Sequence, residues 1–273
     1  MSNISSELIK ELRERTNVGI MKCKQALINA NGNIQLAIDN MKENGLIKAA
    51  KKSGKITKSG IVLTKISPNK RNGIILEINC ETDFVSKNDK FNNFANIVAA
   101  TALEKNISDI NVLKNHFMEK QNILISIFDE NIKIRRIAYI EGEMIGSYLH
   151  NQKIGVILST TNCNTNSQLI KHIAMHIAAN KPEYIDVHHI PTNIIEHEKN
   201  IQMNLAIQSG KTNDVAKKIV EGRIKKFVNE ISLLNQIFIM DTQKTIANIL
   251  KNNNINITHF IRFELGEGIK TTN

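Results

Sequence analysis

The sequence predicts an α+β protein with three parts: an amino-terminal three-helix module, a core of two related α+β subdomains, and an antiparallel helical hairpin inserted into the second. Three observations predict it. Residues 5–45 place apolar side chains three and four apart, strand-like apolar runs begin near residue 59, and the order strand pair then helix recurs about 80 residues later. The expected boundaries are 1–55 for the helical module and its linker, 56–140 for the first core subdomain, and 141–273 for the second, with the hairpin at about 188–231.

The first helix begins at Ser5 or Ser6, with Leu8, Ile9 and Leu12 on one face. The second follows Asn17-Val18-Gly19 and carries Cys23, Ala26, Leu27 and Ala30 before a stop at Asn31-Gly32. The third carries Ile34, Ala37, Ile38 and Met41 and is expected to stop at Asn44-Gly45. Lys48 to Lys55 then reads as a basic linker. It has no interleaved aromatics on which bases would stack, so a solvated connector is favoured over an RNA contact.

From residue 59 the texture is that of strands. Gly60–Ile66, a turn at Ser67-Pro68-Asn69 and Gly73–Asn79 predict a β-hairpin, followed by a helix near Phe91, Phe94, Ile97 and Val98. Gly146–Leu149, a turn at His150-Asn151-Gln152, Gly155–Leu158 and a helix containing Leu169 to Ala179 repeat that order. Two helical stretches separated by Ser209-Gly210-Lys211 come next. Their expected seam runs through Ile194, Ile201 and Leu205 on one side and Val220, Ile224, Phe227 and Ile231 on the other. Residues 238–240 and 258–266 are then expected to return to the sheet.

Composition narrows the function classes. The 273 residues include 36 basic and 26 acidic groups, for a net charge of +10, and half of the excess lies in residues 1–56. Such a balance suggests nucleic acid, yet Lys outnumbers Arg 29 to 7, and Arg is the better bidentate reader of phosphates and bases. Ile, Asn and Lys are residues of A/T-rich codons, so drift explains much of the surplus. Cys23, Cys80 and Cys163 are odd in number and far apart, which fits a reducing cytoplasm and neither a disulfide framework nor a zinc ribbon. No apolar run reaches the ~18 residues of a membrane span, and the start lacks the apolar stretch of a signal peptide. A cytoplasmic chain is expected, with neither a membrane nor a stable nucleic-acid partner.

Reactive groups are scarce. His172 and His176 stand at the i, i+4 spacing of a zinc pair, but the Glu of an H-E-x-x-H helix is absent and His188 and His189 are only weak third ligands. Structural histidines are the favoured reading over a zinc hydrolase. No phosphate-binding glycine motif occurs, so no cofactor, no metal and no catalytic residue is expected. The repeat shows one asymmetry. After its hairpin the first unit has Glu81-Thr82-Asp83-Phe84-Val85-Ser86, where the second has a polar connection at 162–167. Phe84 is either tucked into its own core or presented to a partner, and the residues alone leave both open. Asp83 beside it could compete for ligands near a bound cation.

Two longer stretches carry a family resemblance. Leu12 to Leu27 (LRERTNVGIMKCKQAL) resembles the amino-terminal signature of the bacterial translation elongation factor Ts family, and Glu77 to Lys87 (EINCETDFVSK) resembles its second signature. The HIAMHIA helix and the closing THFIRFELGEG are also similar, so agreement runs from about residue 4 to residue 269. The resemblance implies a guanine-nucleotide exchange factor for the GTPase elongation factor Tu, with a ubiquitin-associated-like amino-terminal module. It implies that Thr82, Asp83, Phe84 and Val85 form the loop that disturbs the partner's magnesium site, Phe84 being the wedge between two partner helices. Arg13, Ile20, Met21 and Lys24 would dock the helical module on the same partner domain. His150 and the segment Ile239-Met240 would touch another domain of it. A dimer or heterotetramer of the complex is also implied. The sequence departs from the family in two places. Asn17 stands in a turn where a smaller residue is usual. The chain closes at 268–273 without the carboxy-terminal helix of many members, so part of that interface is expected to be missing. An RNA- or ribosome-binding basic protein is the alternative.

Overall fold

The computed structural model describes residues 4–16, 18–161, 167–210 and 212–269. Asn17, the polar connection with Cys163, and the closing residues 270–273 lie outside them.

Ser5 accepts the Leu8 N–H at the head of α1 (Ser6–Thr16), and Gly19 precedes α2 (Ile20–Asn29). Asn31 and Gly32 take left-handed backbone at φ 50° and 85° and end that helix as expected. Leu12, Val18, Cys23, Leu27, Ala30 and Ala37 are the buried centre of the module. The third helix differs from expectation, because α3 runs from Ile34 to Lys52, straight through Asn44-Gly45. Burial explains it: Gly45 lies against the Asn122 backbone, where an added Cβ would stand in contact at 3.5 Å, so packing overrides the local stop signal. The basic stretch is therefore helical as far as Lys52. Lys51 and Lys52 sit in the last turn, where cations favour the negative end of the helix dipole.

The strands β1 (Ser59–Ile66) and β2 (Asn72–Cys80) stand where the hairpin was expected. A one-turn helix α4 (Asp83–Ser86) leads into α5 (Asp89–Glu104), which buries Phe91, Phe94 and Val98 but leaves Ile97 half exposed. Sequence reasoning passed over α6 (Ile110–Phe128) and β3 (Lys133–Glu141). Leu113, Phe117, Leu124 and Ile125 of α6 are buried at helical spacing, and Phe117 meets Phe94 edge-to-face at 6.0 Å. Ile123 and Ile127 of the same helix pack against the core of the amino-terminal module.

β4 (Met144–His150) and β5 (Ile154–Thr161) pair antiparallel with Gly146 opposite Leu158, and α7 (Ser167–Asn180) buries Ile170, Ile173 and Ile177. After a 3-10 turn at Val187–His189 come α8 (Thr192–Gln208) and α9 (Asn213–Ile231), packed against each other as the expected hairpin. Its seam differs on both sides. Ala206, Ala216 and Val220 are buried and Met203 and Ile224 pack against them partly buried, whereas Phe227 and Ile231 are outside that cluster and Ile201 and Leu205 are 40% and 49% exposed. Small residues facing each other let the two helices approach closely, and the larger side chains turn outward.

A second 3-10 turn, Leu233–Asn235, leads to β6 (Ile237–Phe238) and β7 (Asp241–Thr245), then α10 (Ile246–Asn252) and β8 (Asn256–Glu264). Residues 238–240 do not return to the main sheet: Phe238 pairs with Asp241 in a two-stranded sheet, and Ile239-Met240 form its turn. The strand orders are β1-β2-β3 and β4-β5-β8. In each, a strand pair is followed by helix and a third strand joins the second. Of the described residues, one compact unit takes the chain up to Leu63, Leu76–Ile137 and the part from Glu264; the other takes Thr64–Ile75 and Ala138–Phe263.

Candidate partner-binding site

The site is built at the end of β2, where the chain leaves the sheet. Cys80 is buried and its thiol donates to the Thr82 carbonyl at 3.1 Å. Thr82 is extended (φ −125°, ψ 158°) and does not cap the next helix with its side chain. Instead both its donors go to one carboxylate, the N–H to Glu130 Oε2 at 3.0 Å and the hydroxyl to Oε1 at 2.7 Å. Ser86 closes the α4 turn by donating to the Asp83 carbonyl at 2.9 Å, and Asn88 caps α5 through the Lys90 N–H.

A single helical turn sends successive side chains about 100° apart. Val85 goes inward and is buried, while Asp83 is exposed and Phe84 is 91% exposed. Of the two readings of Phe84, core packing is excluded. Holding a Phe in water forgoes roughly 1.5–3 kcal/mol that burial would supply, so a surface built to present it calls for a function. Val85, expected beside Phe84 at the partner surface, instead seats the turn.

The thiol beneath this turn is buried and held in its protonated form. Burial, followed by the nearby charges of Glu130 and Asp83, pushes Cys80 up to about 12 from an ordinary value of 9.0. Its thiolate fraction at pH 8 falls about a thousandfold accordingly. Iodoacetamide is therefore expected to leave Cys80 unmodified in the folded chain and to label it after denaturation, read by mass spectrometry of the peptide that carries it. Rapid labelling under native conditions would mean that the 80–86 segment opens freely, against the bonding described.

The other expected contact residues are also at the surface. Arg13 and Lys24 are exposed, and Ile20 and Met21 are 50% and 75% exposed on the first turn of α2, an unusual place for two large apolar side chains. They share a compact unit with the Phe84 turn. The module is fastened there by Lys22, which donates to the Ser126 carbonyl at 2.7 Å, and by Lys52, which pairs with Asp129 at 3.1 Å. His150, Ile239 and Met240 belong to the other unit. His150 is exposed at the end of β4 with the Tyr148 hydroxyl 3.1 Å from Nδ1, and Ile239 and Met240 are 38% and 49% exposed at their turn.

The histidine pair proves structural at His176. It is fully buried, with Nε2 2.8 Å from Gln236 Oε1 and Nδ1 accepting the Ile239 N–H at 3.3 Å, which assigns the neutral Nε2–H tautomer. Among the described residues no three His, Cys, Asp or Glu side chains are placed to hold a metal ion, and no helix is long and apolar enough to cross a membrane. Sequence reasoning missed Glu130. The available signal was a polar Asp-Glu-Asn turn directly after an amphipathic helix.

The sequence profile described as Elongation factor TS matches residues 81–267. Proteins named elongation factor Ts from Yersinia pestis (strain Pestoides F) and from Yersinia pseudotuberculosis (serotype O:1b and serotype O:3) are each 50% identical over 270 residues, covering 99% of this chain and 94% of theirs. The chain belongs to the elongation factor Ts family. The elongation factor Ts profile begins at Glu81, the residue before Thr82, and so includes the whole presented turn. The amino-terminal helices lie outside that profile but within the alignment to the Yersinia elongation factor Ts proteins.

Proposed function

We propose that the chain is a guanine-nucleotide exchange factor for the GTPase elongation factor Tu. The turn Thr82–Val85 enters the partner's nucleotide domain near its magnesium ion. Phe84 wedges between two partner helices, Asp83 disturbs the ligands of the metal, and GDP leaves. Arg13, Ile20, Met21 and Lys24 dock the helical module on the same domain, and His150 with Ile239-Met240 touches another. The finer architecture follows the same reading: a ubiquitin-associated-like module over 1–55 and two related α+β subdomains, 56–140 and 141–273, the second carrying the hairpin.

The observation that carries the proposal is Phe84 held 91% exposed on a turn fastened at both ends. Exchange needs no reactive group on the factor. It needs tighter binding to the nucleotide-free partner than to the GDP-bound one, and by linkage GDP then weakens the factor by the same ratio. A 1,000-fold weakening corresponds to about 4 kcal/mol. One newly buried Phe plus lost metal contacts is of that order.

The test is release of fluorescent GDP from purified elongation factor Tu with and without the chain. Acceleration at catalytic amounts of chain is the expected result. No acceleration at any concentration rejects the function, and a strongly salt-dependent affinity for RNA in its place would favour the basic-protein alternative.

A further inference from the structure

We infer that Glu130 is the positioning residue of the exposed turn, acting through Thr82. The inference rests on the proposed exchange function for its consequence but on local geometry for its substance. Helix α6 ends at Asp129 in left-handed backbone (φ 57°), which reverses the chain and brings the next two side chains back to the end of β2. Glu130, half-buried there, takes both donors of Thr82 on its two oxygens at 3.0 and 2.7 Å. Asn131 follows, donating its N–H to Glu81 Oε1 at 2.7 Å and its amide to the Lys55 carbonyl at 2.9 Å. Asp129 holds Lys52 at the end of α3. Three consecutive residues thus tie the start of the Phe84 turn to the end of the amino-terminal helical module.

The arrangement has a mechanical sense. Thr82 is the last fixed residue before Asp83, which is exposed, and Phe84, which is 91% exposed. A turn of four residues has too few internal bonds to fix their direction. With two charge-assisted bonds to Thr82, the turn meets its partner already ordered; without them, ordering is part of the insertion step. Glu130 touches neither partner nor nucleotide in this scheme.

The experiment uses the full chain with Glu130→Ala, Glu130→Gln, Thr82→Val and the Glu130→Ala/Thr82→Val double variant. Amide hydrogen exchange of residues 82–86 is read first, without any partner. Glu130→Ala is expected to raise it at least about tenfold while melting temperature and the protection of β2 and α5 hold. GDP release is then expected to fall about tenfold to a hundredfold at saturating chain. The half-saturating concentration should move less than about threefold, because the docking residues are untouched. Glu130→Gln, which keeps one acceptor, should recover part of the loss. The double variant should be no worse than Glu130→Ala alone. Unchanged hydrogen exchange at 82–86 overturns the positioning role whatever the GTPase result, as do additive losses in the double variant. Faster hydrogen exchange with no stimulation by the unmodified chain leaves the positioning role standing and rejects the exchange function.

Discussion

Phe84→Ala is expected to slow chain-stimulated GDP release from elongation factor Tu by roughly tenfold to a hundredfold, the factor that corresponds to 1.5–3 kcal/mol of burial forgone at the partner. The folded chain should not notice the change. Phe84 is 91% exposed, so its removal leaves no cavity, and Val85 and Ser86, which hold the turn, are untouched. Thermal unfolding of variant and parent should superimpose, which separates this substitution from one that acts by unfolding. If Ala at this position sustains normal exchange, the wedge assignment fails even if the chain is an exchange factor. The measurement is a stopped-flow titration of the variant against fluorescent GDP on elongation factor Tu.

Glu77→Gln should have the opposite profile, a large loss of stability. Glu77 is fully buried on β2 among apolar neighbours and accepts from four groups: Arg135 at 2.8 Å, Arg136 at 2.6 Å, the Gly266 N–H at 2.9 Å and the Asn79 amide at 3.0 Å. Neutralising it takes the Glu77 charge from both guanidinium groups and leaves Arg136 with Glu267 at 3.2 Å, which costs about 3 kcal/mol; this is the low end of the usual range, because the two Arg side chains keep 24% and 28% exposure and can reach water. Denaturant melts at pH 7 measure it. A variant as stable as the parent would mean that the ion pairs only offset their own desolvation.

The same site gives a pH dependence. Burial alone would raise the Glu77 carboxyl, but the Gly266 N–H and the Arg136 guanidinium outweigh it and hold the group below its ordinary 4.5. Its contribution is therefore complete above pH 4.5 and is lost as the pH falls through the lower folded value. His176 adds an earlier acid limb. Burial lowers it below its ordinary 6.5, the bond to Gln236 partly opposing, so its contribution is present above 6.5 and fades below. Stability of the parent should fall in two stages on acidification, and Glu77→Gln should flatten the second.

Most elements with strong periodicity were legible. The apolar strands around Ile61–Leu63 and Ile74–Ile78, the α7 face and the helical hairpin stand where spacing places them. The misses have physical causes. Asn44-Gly45 is a sound stop signal overridden by packing on Asn122, and Ile201 and Leu205 lost the seam to Ala206 because close approach favours small residues. Residues 238–240 have strand composition, but composition does not say which strand is the partner. The candidate site was legible as a sequence island but not as a device. Nothing in the residues 82–85 says which way Phe84 points, and the carboxylate that secures Thr82 comes from 48 positions away. Glu77 carries a legible signal, since a lone acid inside an apolar strand requires a cation, and Arg135-Arg136 are the adjacent pair that supplies it.

The two sheet orders, each closed by a late third strand, bear on how the chain folds. About 50 residues lie between β2 and β3 but about 95 between β5 and β8, the helical hairpin accounting for much of the difference. Closing the longer loop costs only about half a kcal/mol more, since the entropy grows with the logarithm of length. The helical hairpin is thus almost neutral at equilibrium but lengthens the search. Pairing of β8 should be the late event in refolding, and a chain shortened across 192–231 should reach its native sheet sooner without becoming much more stable.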